Sequence, residues 1–338
     1  MVNVWRRTAI GLAIAGTLFA LRFVPREQPA ATIHQSRPLM GTVWTLEVFD
    51  EGRPAAAQSA INAAFAELVR IDNLMSEWKP DSPISRVNTA AGIHPVEVPA
   101  ELREMLERAR HYSEISAGAF DITWRGMGRI WKFDDSFRPP TPAAVDAARR
   151  NVDYRALQID GNRIFLPKST MSIGLGGIAK GYAVDRAAEV IARAGFANAL
   201  VDGGGDVRVS GTRAGAPWRL GIQHPRKPRG ELLGAVAPVN QALLTSGDYE
   251  RFREVDGVRY HHIIDVRTGW PARAATSVTV LSESAEKGVV LAKVIFILGP
   301  EKGLALARAE KVEALLIDSA GRAHSTPGFP PFASQEGQ

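Results

Sequence analysis

The sequence predicts an α+β protein, and three observations carry the prediction. Apolar residues recur at helical spacing in 55–78, 102–115 and 178–194, the period of helices that bury one face. Beyond Asp206 the pattern turns β-rich, with short runs at 207–210, 218–222, 232–238, 242–245 and 260–265 separated by Gly and Pro turns. No regular series of βαβ units follows the glycine-rich centre of the chain, which argues against a doubly wound parallel sheet.

Composition narrows the function classes. The 338 residues are 45% hydrophobic and 23% charged, ordinary for one large or two smaller domains with a sizeable core. With no cysteine, disulfides, thiolate nucleophiles, cysteine-ligated metals and a lipid-modified N-terminal cysteine are excluded. The formal charge of +5 suits an acidic ligand or an anionic membrane surface. The basic residues are spread along the chain without interleaved aromatics, so nucleic acid is not an expected partner.

In chain order, Arg6 and Arg7 precede an apolar run at 9–21 that holds no acid, the pattern of a signal peptide or a short anchor. No small-x-small cleavage site stands out before Pro25, which favours an uncleaved inner-membrane anchor and a periplasmic body. A linker rich in Pro and Ala follows, then a strand at 42–49 introduced by Met40 and Gly41. After the helix at 55–78, residues 76–88 read as a loop punctuated by Pro80 and Pro83. Trp78 at its start is either a helix-end core residue or an aromatic wall for a flat ring. A helix at 102–115 leads to the tight turn AGAFD, whose Asp121 can cap a following helix. Residues 131–142 read as an irregular loop with no clear core role. A short helix at 143–150 and a hairpin at 157–166, turning at Gly161 and Asn162, complete the first half. The chain closes with a strand at 277–281, helices at 285–299 and 304–309, a strand at 312–317 and a frayed end at 331–338.

Candidate chemistry gathers in three places. Gly174, Gly176 and Gly177 precede the helix at 178–194, where free amides and the helix dipole favour a phosphate-bearing ligand. Gly174, Gly176 and Ala179 also fit the G-x-G-x-x-A dinucleotide fingerprint, so a nicotinamide or flavin oxidoreductase is the rival reading, although Lys168, Ser169, Thr170 and Ser172 are polar for a buried first strand. Adjacent strand histidines point to opposite faces, so at most one of His261 and His262, beside Asp265, Arg267 and Thr268, faces a given pocket. Lys293 is the one charge in the apolar run 288–298, and shares a helical face with Val289. An ammonium there either snorkels to water or is held by a buried anion.

Eight stretches in order, LMGT, MSEWKPDSPISRVN, AGAFDITW, GLGGIAKGYAVD, DGGGDVRVSG, TSGDY, HHIIDVRTGWP and TVLSESA, resemble the ApbE family, over nearly all of residues 40–299. The resemblance implies an α+β, T-fold-related body, antiparallel and β-rich with flanking helices, and a ligand cleft between two lobes. It implies transfer of FMN from FAD onto a Thr or Ser hydroxyl of an acceptor protein, with AMP leaving. Met40, Trp78, Ala119, Phe120, Asp121 and Lys180 match the FAD pocket. His262 matches the general base, with Asp265 and Thr268 orienting its loop. The family holds Mg²⁺ against the diphosphate through a backbone carbonyl, here Ala183, and through an Asp and a Thr, here Val289 and Lys293. Its usual Asp before the glycine cluster is Gly174. Lys293 is therefore expected to take the metal's place at the diphosphate, unless Mg²⁺ enters with FAD. The alternative function is a catalytically weak FAD-binding carrier or accessory protein of a redox system.

Overall fold

The computed structural model describes residues 31–331. It opens with β1 (Thr32–Leu39) and β2 (Thr42–Phe49), a hairpin in register from Thr32 opposite Phe49 to Leu39 opposite Thr42. Its two turn residues, Met40 and Gly41, both have positive φ, 49° and 74°, the turn whose twist matches that of the flanking strands. The segment read as a linker thus contains an edge strand. Pro38 is tolerated there because an edge strand has a side with no ladder to serve.

Helices and small hairpins follow: α1 (Pro54–Met75), α2 (Pro83–Thr89), β3 (Val96–Glu97), α3 (Ala100–Ile115), α4 (Arg125–Gly128), α5 (Pro142–Arg149), β4 (Gln158–Asp160), β5 (Arg163–Phe165) and α6 (Ala179–Arg193). The α2 helix lies inside the stretch expected to be loop. Pro83 takes its first turn and the Ser82 hydroxyl accepts from the Ser85 amide at 3.1 Å, so one of the two prolines read as loop punctuation starts a helix.

The second half supplies β6 (Ala199–Asp202), β7 (Val207–Ser210), β8 (Leu220–Gln223), β9 (Leu232–Val236), β10 (Ala242–Gly247), β11 (Phe252–Val255), β12 (Val258–His261), β13 (Ile264–Asp265), β14 (Trp270–Pro271), β15 (Ala275–Ser282), α7 (Ala285–Ala309), β16 (Glu313–Asp318) and β17 (Ala323–Ser325). Eight strands form the main sheet in the order β1-β2-β6-β7-β10-β15-β16-β17, and its pairings are antiparallel throughout. That removes the doubly wound alternative. The expected run at 260–265 is broken at His262 and Ile263, between β12 and β13. The helix expected to end at Gly299 does break there, at φ 79°, and resumes from Pro300 because a proline suits the first turn of a helix.

Each sheet face is covered. Trp44, Leu46 and Val48 of β2 are fully buried against α1 and α6, and burying side chains of this size stabilises by about 1.5–3 kcal/mol each. The opposite face carries Val209, Leu243, Leu281 and Leu315, packed under Trp218, Leu220 and Ile222 around β8. Residues 131–142 have a core role after all: Trp131 and Phe137 are buried with Met127, Val145 and Val266, and the Trp131 indole donates to the Gly269 carbonyl at 3.1 Å. The expected anchor, residues 1–24, and most of the expected frayed end lie outside the described residues. Among the described residues no helix is long and apolar enough to cross a membrane.

Candidate active site

The site begins with the contact of two helices. A Cβ on Gly181 of α6 would lie 2.6 Å from Val289 Cγ1 of α7 and closer still to the Ala285 carbonyl oxygen, so glycine is what lets the helices touch. Asp185, one turn further along α6, fixes the start of α7. Its carboxylate accepts from the Ala285 amide (2.9 Å), the Glu286 amide (3.0 Å) and the Ser284 hydroxyl (2.8 Å), filling donors that a helix N-terminus leaves open. Lys180 of α6 and Lys293 of α7 are thereby held at one recess.

The Lys180 ammonium pairs with Asp206 Oδ2 at 2.8 Å, and Asp206 is buried at the end of the DGGGD turn. The Lys293 ammonium donates to the Val289 carbonyl, 3.1 Å away on its own helix. Burial pulls Lys293 down to about 8, with Asp206 opposing the shift and Lys180 adding to it. It therefore stays charged at neutral pH. Asp202 commits its carboxylate to the Gly205 and Gly204 amides. Two ammonium groups thus lie at one recess, Lys180 paired with Asp206 and Lys293 bonded only to a neutral carbonyl.

His262 lies beside this charge. Burial, then the charge of Lys293, then that of His261, hold its imidazole down at about 3. Its Nδ1 lies 3.3 Å from the Arg251 carbonyl. A carbonyl only accepts, so Nδ1 carries the hydrogen and Nε2 is left as the basic nitrogen. His261 has the opposite fate. It is buried edge-on to Phe296, its Nε2 donates to the Ala272 carbonyl at 2.7 Å and its Nδ1 accepts from the Ile263 amide. Of the histidine pair, His262 is the one held down by the Lys293 charge. Asp265 and Thr268 act on the turn itself: the Asp265 carboxylate takes the Arg267 amide and guanidinium, and the Thr268 hydroxyl bonds the Asp265 carbonyl and the Trp270 amide.

The glycine segment is clamped from several sides. Asn88 of α2 donates to the Ile173 carbonyl (2.8 Å) and accepts from its amide (2.7 Å), and the Gly174 amide donates to the Ile122 carbonyl. Two of these glycines serve close approach and not a left-handed backbone: a Cβ on Gly177 would meet Phe120 at 2.9 Å, and one on Gly174 would meet the Trp124 indole nitrogen at 3.1 Å and Glu77 Oε1 at 3.3 Å. Glu77 is a buried carboxylate that sequence reading passed over. Burial raises its pKa, opposed by backbone amides that include Leu175 and by the nearby Arg125.

Other expected ligand residues divide. Trp78 is 79% exposed with the Arg125 guanidinium 4.6 Å from its ring centroid, so it is not a core residue. Ala119 and Phe120 are buried. Asp121 is no helix cap. Its Oδ1 takes the Thr123 amide and hydroxyl, both at 2.7 Å, and its Oδ2 the Tyr154 amide at 2.8 Å, so it brackets a turn to a distant segment. Burial pushes its pKa up against these bonds. The neighbours of Met40 on either side, Leu39 and Gly41, line an open cavity of about 950 Å³ together with Thr42, Asp202, Gly204 and Arg229 among others, whereas Met40 itself is not in its wall. That cavity shares the DGGGD turn with the ammonium recess but is not walled by either lysine.

Divalent metal does not fit these residues. Val289 is 2% exposed and packed on Gly181, Ala183 is fully buried within α6, and the third position is an ammonium. Among the described residues no group of three or more His, Asp or Glu is placed to hold a metal ion, whereas Mg²⁺ asks for oxygen donors in near-octahedral order.

The fold and its relatives define a transferase. The ApbE protein of Thermotoga maritima superposes with a TM-score of 0.81 at 30% identity, covering 88% of this chain and 97% of that one. The flavin transferase ApbE of Vibrio cholerae gives 0.80 at 30% identity, covering 90% and 100%. A FAD:protein FMN transferase of Vibrio cholerae is 32% identical over 317 residues, 91% of this chain and 95% of the relative. One of Salmonella typhimurium is 31% identical over 339 residues, 96% and 95%. Residues 40–316 match the model of the ApbE family. The chain belongs to the ApbE family.

Proposed function

We propose that this chain transfers FMN from FAD to a Thr or Ser hydroxyl of an acceptor protein and releases AMP. The observation that carries the reading is the Lys293 ammonium, bonded only to a neutral carbonyl beside the Lys180–Asp206 pair, set next to an imidazole whose Nε2 is unprotonated. A diphosphate answers that charge. The exposed Trp78, stacked on Arg125, offers a face to the isoalloxazine ring.

In the proposed step the acceptor hydroxyl oxygen attacks the phosphorus on the riboflavin side of FAD. A new P–O bond forms, the bond from that phosphorus to the bridging oxygen breaks, and AMP leaves with the bridging oxygen. The hydroxyl proton passes to His262 Nε2. Lys180 and Lys293 neutralise the charge gathering on the diphosphate, which matters most where water is excluded. The helix dipole at the start of α6 adds to them. The acceptor is taken to be periplasmic and the chain to be held at the inner membrane by residues 1–24. The basic pair followed by an apolar run without acids supports that placement.

The test is incubation with FAD and a flavin-accepting protein domain. Covalent flavin fluorescence on the acceptor and stoichiometric AMP are expected. His262→Ala should keep FAD and lose transfer by about 10²–10⁴-fold. Tight FAD with neither product would instead establish the carrier reading, which the missing metal donors favour.

A further inference from the structure

The donor set beside α7 rejects a divalent ion and supplies a cation of its own. We propose that the Lys293 ammonium is the resident cation at the FAD diphosphate, and that this chain binds and transfers flavin without a divalent metal. The inference rests on the flavin-transfer reading and deepens it.

Three features of the recess lead to it. Lys293 sits in the apolar run of α7, and its charged end is turned back onto the Val289 carbonyl, so the group is not snorkelling into bulk water. The nearby carboxylate, Asp206, already gives its ion pair to Lys180. An added Mg²⁺ would therefore meet two ammonium groups and a carboxylate that one of them already holds. Val289 stands one helical turn before Lys293, where a second oxygen donor would be needed, and it offers only methyl groups buried against Gly181. An anionic diphosphate reverses the balance: it gives Lys293 acceptor oxygens and leaves Lys180 and Asp206 paired. A monovalent point charge has no demand for octahedral geometry and no hydration shell of Mg²⁺ to strip.

The groups facing Lys293 come from three elements: Lys180 on α6, Asp206 on the DGGGD turn and His262 after β12. Lys180 and Asp206 are engaged with each other at 2.8 Å, and His262, held down at about 3, is neutral near pH 7. The cation at the diphosphate is thus fixed by sequence and not by metal supply.

FAD affinity, read by quenching of flavin fluorescence, tests this on the full chain in excess EDTA and in excess Mg²⁺. The two affinities are expected to agree within about twofold. Lys293→Met, similar in length and without charge, should weaken FAD by about tenfold or more, the value of a charge-assisted hydrogen bond. Lys293→Arg should restore most of it. A wild-type chain that takes up FAD only with Mg²⁺ overturns the inference and leaves the flavin-transfer reading standing, as does Lys293→Met binding like wild type. A chain that retains no FAD in either buffer overturns the reading of the site and the inference with it. The wild-type comparison needs no variant, so it decides the matter even if Lys293→Met fails to fold.

Discussion

Gly181→Ala asks whether the contact of α6 with α7 builds the site. The added methyl would sit 2.6 Å from Val289 Cγ1 and 2.7 Å from the Ala285 carbonyl carbon, where ordinary carbon contacts lie near 3.5 Å or beyond, so the helices must part by roughly 1 Å. Two of the three nearest atoms are backbone and cannot swing aside. Overpacking of this kind costs about 1–3 kcal/mol, and the rigid neighbours place this case at the upper end. Alanine regains about 1 kcal/mol of helix propensity over glycine, leaving a net loss of about 2 kcal/mol. Urea unfolding measures it through the midpoint at constant slope. Gly176→Ala, whose Cβ would meet nothing within 4 Å, is the comparator and should change stability by less than about 0.5 kcal/mol. FAD affinity should fall in Gly181→Ala, because parting the helices moves Lys180 relative to Lys293. A Gly181→Ala chain as stable as wild type would refute the reasoning that glycine is there for the helix contact.

Three further outcomes follow from the site. Trp78→Ala should leave stability within about 0.5 kcal/mol, since the ring is exposed, while lowering FAD affinity; a large stability loss with unchanged affinity would return Trp78 to the core. Asn88→Ala removes both bonds to Ile173 and should cost about 1–3 kcal/mol, read by thermal or urea unfolding, with unchanged stability counting against the clamp. The pH dependence of stability should report His262. Its pKa falls from 6.5 to about 3 on folding, so between those values the folded chain binds fewer protons than the unfolded one. Its contribution is fully present above about 6.5 and is lost as pH drops toward 3. His262→Gln should flatten that acid limb, and an unchanged limb would show the imidazole to be as easily protonated as in the unfolded chain.

Much of the framework was legible because helix periodicity and turn residues are local. The helices at 55–78, 102–115 and 178–194 were read within a few residues of α1, α3 and α6, and Gly299 was read as a break. What escaped depends on partners far along the chain. β1 carries His34, Gln35, Ser36, Arg37 and Pro38, and only its pairing with β2 makes it a strand. The core role of residues 131–142 comes from rings that meet across loops: Trp131 lies 6.2 Å from Tyr260 and 5.5 Å from Trp270. Asp121 looked like a cap because its neighbours suit one, while its second oxygen reaches Tyr154. At the site, Lys180, Lys293 and His262 were visible as residues, but Asp206 and Glu77 were not singled out. The signal for Asp206 was present in DGGGD, where the acid after three glycines is the one that meets Lys180.

On the proposed reading, the charges that would bind the diphosphate also set the strength of the base. In the free chain the Lys293 charge is the second largest cause, after burial, of the low His262 pKa, so the imidazole is neutral but a poor proton acceptor. A diphosphate seated against Lys293 cancels that field and puts negative charge nearby, and both changes favour the protonated imidazole. Basicity at Nε2 therefore rises when the nucleotide arrives. In the proposed step, a proton acceptor that strengthens with FAD in place would be ready only when there is a phosphorus for the hydroxyl to attack. A metal bound in the same recess would impose its own positive field on His262; a single ammonium matched against the diphosphate leaves net negative charge beside the imidazole. The presence of Val289 and Lys293 where the family resemblance places two oxygen donors would thus bear on the base as well as on the phosphates.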